Sequence, residues 1–227
     1  MTKRKALTGP CEPELLAVPI VYFFAYMAVF LYLERTVVPR YWMASRLDAY
    51  IPFCSAFLIP YLLWFLLIPA TFLYFYVTDR AEYIKLCKLV LTGLTVCLAL
   101  YALFPNGQRL RAPIAGDGLL DRMVVLLRKA DTNTNVCPSI HVFVSMAVGT
   151  MFQNAPSLRD RPGVRWSLMA LAALITLSTV FLKQHSVIDV ACGIALEAVL
   201  AVLFGCSRLG RRLEAIPRPK KKMAYGD

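Results

Sequence analysis

The chain has two histidines in 227 residues, His141 and His185, and both stand where apolar runs end. Ionisable groups at such depth in an apolar chain are costly and usually functional. His141 closes the run Pro138-Ser139-Ile140-His141. Proline suits the first helical position, where its missing donor costs nothing. The free N–H groups of the following turn attract an anion such as phosphate, and the Ser139 hydroxyl adds a donor. His185 precedes Asp189 by four residues, so a helix beginning near the histidine sets both on one face. A carboxylate there can hold the imidazole in one tautomer and stabilise its cation, which prepares a nucleophile. Ser186-Val187-Ile188-Asp189 also reads as a capping box, in which Asp189 only closes the helix start. Lys183 places a positive charge just before His185.

The elements that must hold these residues are membrane helices. Hydrophobic residues make up 59% of the chain and charged residues 17%. That leaves too little charge for the surface of a soluble α/β enzyme and too much apolar content for a disordered chain. Runs long enough to cross a bilayer fall at about 15–33, 53–77, 84–104, 138–153, 166–182 and 187–206, the fourth being the shortest. The expectation is an all-α, polytopic bundle of about six transmembrane helices, forming one domain over 1–227. Basic tails at 1–14 and 207–227 flank it. Pro60 and Pro69 should kink the second span rather than end it. The first run follows Lys3, Arg4 and Lys5, as a signal peptide would, but it is too long for a signal core and reads as a retained anchor.

With six spans both termini share one side. That side carries sixteen lysines and arginines against nine on the other, which puts the termini in the cytoplasm of a cell-membrane protein. Loop 105–137 and turn 183–186, with both histidines, then face outward. The net charge of +11 needs no nucleic acid: the run Arg218-Pro219-Lys220-Lys221-Lys222 suits anionic lipid headgroups. The seven cysteines form no CxxC pair, and no set of side chains has metal-ligand spacing, so neither a metal site nor a disulfide framework is expected.

Pro138-Ser139-x-His141, followed by Ser178-x6-His185-x3-Asp189 at the same end of the spans, resembles the type 2 phosphatidic acid phosphatase superfamily. Its signatures are Lys-x6-Arg-Pro, Pro-Ser-Gly-His and Ser-Arg-x5-His-x3-Asp. The resemblance runs from about residue 105 to 189. It implies an integral-membrane phosphatase for a lipid phosphate or diphosphate, working through a phosphohistidine without metal or other cofactor. By similarity His185 attacks phosphorus, Asp189 orients it, and His141 protonates the leaving alkoxide. Ser139, Lys183 and Arg111, with Arg109 as second choice, would hold the phosphoryl oxygens.

The chain departs from the family pattern at three points. Ile140 replaces the motif glycine, Thr179 stands in place of the motif arginine, and Arg109-Leu110-Arg111-Ala112-Pro113 matches the first signature only in part. Lys-Gln-His-x3-Asp with a non-glycine Pro-Ser-x-His also resembles the branch containing inositol phosphorylceramide synthases, which implies phosphotransfer to an alcohol as the alternative. The alternative of another class is a non-catalytic bundle, such as a transporter with an anion site.

Overall fold

The computed structural model describes residues 13–214. The first basic cluster and the run 218–222 lie outside the described residues. Eight α-helices follow in order: α1 (Pro13–Thr36), α2 (Leu58–Thr78), α3 (Arg80–Leu103), α4 (Leu119–Ala130), α5 (Ile140–Asn154), α6 (Pro162–Phe181), α7 (Val187–Leu203) and α8 (Arg208–Glu214). The only sheet among the described residues is a parallel pair, β1 (Tyr41–Trp42) with β2 (Asn106–Gly107). The all-α, multi-pass architecture therefore holds.

Among the described residues five helical stretches are long and apolar enough to cross a membrane: α1, α2 with the turn before it, α3, α6, and α7 taken together with α8. The sixth expected span differs. The run 138–153 yields α5, only 15 residues long, shorter than a crossing requires. It runs through the centre of the bundle, from His141 beside Tyr61 near the start of α2 to Phe152 beside Phe75 near its end, and lies against α2, α3, α6 and α7. Phe143, Val144, Ala147, Val148 and Met151 on α5 are buried in the main apolar cluster with Leu86 and Leu89 of α3 and Ile175 of α6. A helix apolar all round is a buried one, and α5 passes through the bundle wrapped by the other helices.

Local sequence sets the helix limits. Pro60 falls in the first turn of α2, where its missing N–H is no loss, and α2 continues through Pro69 to Thr78. Asp79 alone separates α2 from α3 and caps α3 by accepting from Ala81 and Glu82 N–H. Residues 208–214, expected as part of a basic tail, instead form α8, whose Arg211 grips Glu82 of α3 at 2.9 and 2.5 Å. Lys85 and Glu214 add a second tie at 3.3 Å.

Two glycines allow close approach near the histidines. A Cβ on Gly193 of α7 would come 2.9 Å from the Ser139 carbonyl oxygen, and one on Gly93 of α3 would overlap the Phe143 ring. With hydrogen there instead, the start of α5 settles directly onto α7.

Candidate active site

The site forms where α5 and α7 begin side by side. Ser139 caps α5, its hydroxyl accepting from Val142 N–H, and Ser186 caps α7 in a capping box with Asp189. The Ser139 N–H donates to the Asp189 carbonyl at 3.1 Å, which joins the two helix starts. Both helices thus aim the positive ends of their dipoles at one region, where negative charge is favoured.

The two imidazoles meet there, with ring centroids 5.9 Å apart. His185 is buried, and its Nδ1 lies 3.5 Å from Asp189 Oδ2. That is long for a hydrogen bond, as such contacts often are before substrate arrives. Nδ1 turned to Asp189 leaves Nε2 as the free nitrogen. His141 has different surroundings. Its ring lies against Tyr61 at 4.7 Å and Trp64 at 4.3 Å, with Phe65 at 6.4 Å.

The basic residues do not all go where the sequence sends them. Arg111 enters the site: its guanidinium donates to the carbonyls of Asp131 (2.7 Å), Thr132 (2.8 Å) and Arg128 (3.3 Å), and to the Gln184 side-chain oxygen next to His185. Burial lowers its pKa from the ordinary arginine value. Arg109 is exposed and stacks on Trp42, 3.8 Å above the ring, away from the histidines. Lys183 takes a left-handed backbone (φ 58°) in the α6–α7 turn, and its ammonium donates to the carbonyls of Asp48 (2.7 Å) and Ile51. Lys183 and Arg111 therefore do not point at a common spot. Thr179, in place of the motif arginine, is buried and donates its hydroxyl back to Thr176 O at 2.8 Å.

Several residues of the site escaped the sequence reading. Arg128 sends its guanidinium to Ala112 O (2.8 Å) and Leu182 O (3.3 Å). Asp131 accepts from the Tyr61 hydroxyl at 3.0 Å. Burial raises its carboxyl above the usual carboxylate range, opposed first by Arg111 and then by His185. Gln108 reaches across to the carbonyls of Lys183 (3.0 Å) and Gln184 (3.4 Å), pinning loop 105–137 to the His185 turn. Asp48 does the same from the other flank, accepting from Ser186 Oγ (2.7 Å) and Val187 N (2.9 Å). Ser45-x-x-Asp48 was legible as a capping box, and both of its bonds form. The polar stretch from Asp131 to Asn135, rare in so apolar a chain, was the one signal for Asp131.

The cations of the site are held by neutral oxygens. Arg111, Arg128 and Lys183 donate only to oxygens of uncharged groups, and none makes an ion pair among the described residues. Arg111 Nε, Arg128 Nε and Gln184 Nε2 are buried donors without an acceptor. Unsatisfied buried donors are rare in folded proteins and call for an explanation. These orphaned donors beside two helix starts make a region able to receive an anion, with Asp131 and Glu34 as the carboxylates that act on Arg111.

Comparison of the chain with protein-family models, curated proteins and solved structures finds no match.

Proposed function

We propose that the protein is an integral-membrane phosphatase acting on a lipid phosphate or diphosphate through a phosphohistidine. The observation that carries this reading is the pair of imidazoles at 5.9 Å, one held beside Asp189, next to unpaired cations and orphaned donors. Phosphoryl transfer asks mainly for positioning and for neutralisation of charge on the phosphoryl oxygens, and these groups offer both.

The steps balance with the residues present. His185 Nε2 forms the bond to phosphorus as the ester P–O bond breaks and its electron pair leaves with the lipid oxygen. Asp189 stabilises the cationic ring, and His141 gives its proton to the leaving oxygen. His141, now neutral, takes a proton from water, which attacks phosphorus and releases inorganic phosphate and free His185. An alcohol in place of water would give the transferase reaction. Arg111, the Gln184 amide and the first N–H groups of α5 bind phosphoryl oxygens, with Arg128 behind them. The charge bias of the loops supports an extracytoplasmic site, reached by a headgroup whose tails remain in the bilayer.

The test is phosphate release by purified protein from a panel of lipid phosphates and diphosphates, with and without candidate alcohols. Inorganic phosphate as the main product supports the hydrolase. A phosphorylated alcohol formed in its place assigns the transferase. No turnover of any donor rejects catalysis and leaves an anion-binding bundle.

A further inference from the structure

Among the described residues α4 is the most amphipathic helix, and its apolar arc is wider than the protein covers. On a helical wheel Leu120, Val124 and Leu127 form one half of the arc. They pack beside Leu58 and Tyr61 in the first turn of α2 and Leu182 beyond α6. The other half, Leu119, Met123 and Leu126, is open, with Leu119 75% and Leu126 63% exposed. Arg122 and Lys129, both exposed, border this open stripe.

We propose that α4 lies in the plane of the bilayer surface at the site-bearing end of the bundle. Leu119, Met123 and Leu126 sit in the acyl boundary there, and Arg122 and Lys129 reach headgroup phosphates. Three observations select lipid as the partner. The inner half of α4 packs at the level of the first turn of α2, which is where a spanning helix meets the membrane surface. The α2 turns beside α4 also carry exposed apolar side chains, Ile59, Leu62 and Leu66, as a helix facing hydrocarbon does. Tyr41, Trp42 and Tyr50, at the same end, are exposed aromatics of the kind that line a membrane interface. An apolar stripe bordered by cations is the signature of an in-plane helix.

This seating bears on the site, because α4 carries Arg128, and Asp131 is its C-terminal cap. The bilayer surface would thus hold two groups of the site at a fixed height relative to the histidines.

The test uses the full chain in phosphatidylcholine vesicles and reads no turnover, so it stands apart from the phosphatase reading. Leu126→Trp and Lys129→Trp are each compared with the parent, whose three tryptophans give the background. The emission added by Leu126→Trp should be blue-shifted, strongly quenched by lipids brominated on the acyl chain, and quenched by acrylamide several-fold less than that added by Lys129→Trp. Met123→Trp should repeat the Leu126→Trp result, which guards against a local defect. Equal acrylamide quenching at positions 126 and 129, with no effect of brominated lipid at 123 or 126, would overturn the proposal.

Discussion

Asp189 Oδ2 lies 3.5 Å from Nδ1 of His185 and also accepts the Ser186 N–H at 2.8 Å. The cap therefore leaves the carboxylate where an orienting role would need it. One carboxylate closes the start of α7 and stands beside the imidazole, with its other oxygen, Oδ1, buried and unpartnered. The cap fixes the carboxylate before any substrate arrives, so its position relative to the ring costs nothing at the moment of reaction.

The nucleophile is tested first. His185→Ala should abolish turnover and any acid-labile phosphoenzyme, because no other imidazole has a carboxylate beside it. Asp189→Asn should slow turnover and, through weakening of the α7 cap, lower the thermal midpoint in detergent. Phosphoenzyme trapping and scanning fluorimetry check the two effects. A fully active His185→Ala would end the phosphohistidine mechanism.

His141 should matter most when the leaving group is poor. His141→Ala should slow turnover of an alkyl phosphate by roughly 10²–10⁴, the usual contribution of a general acid. An aryl phosphate, whose oxygen leaves without a proton, should recover part of that loss. Equal losses on both donors would assign His141 another role.

The three basic residues expected on the phosphate should separate. Arg111→Gln should cost about 10²–10³ in kcat, as loss of a donor to transferring charge does. Arg109→Ala, which loses only a stack on Trp42, should leave kcat near that of the parent. Lys183→Met should act on stability, since hydrogen bonds from a charged group contribute about 1.5–3 kcal/mol each and its ammonium ties the turn to residues 48 and 51. Parallel kcat and melting measurements on the three variants distinguish these outcomes.

Chelators should leave the rate unchanged. Among the described residues no three His, Cys, Asp or Glu side chains gather where they could hold an ion, and the arginines supply positive charge for the phosphoryl group. Vanadate, which mimics pentacoordinate phosphorus, should inhibit. Activity lost in chelator and restored by magnesium would contradict this.

Sidedness is checked by impermeant thiol labelling of intact cells carrying new cysteines at Gly118 and at Ala224. Labelling at 118 but not at 224 is expected from the distribution of basic residues. The reverse pattern would put the chemistry on the cytoplasmic side.

Much of the molecule was legible one residue at a time. Spanning helices depend on length and apolar content, which are properties of a contiguous run, and α1, α2, α3, α6 and α7 appear where those runs lie. The Ser186 capping box and the i, i+4 relation of His185 to Asp189 are equally local, since they involve bonds within one helical turn. Pro138, expected at the first helical position, instead precedes the cap Ser139, whose hydroxyl accepts from Val142 N–H. What tertiary structure decided involves residues far apart in sequence. It brought His141 to His185, delivered Arg111 to Gln184, and set Tyr61 of α2 between Asp131 and His141. It also turned Lys183 to the 48–51 loop, placed Arg109 on Trp42, and made α5, the shortest of the six runs, the buried centre of the bundle. Hydropathy cannot tell burial in protein from burial in lipid, because both remove the same apolar surface from water. A long side chain's direction depends on which carbonyls or rings another segment brings within reach, and only the packing of whole helices determines that.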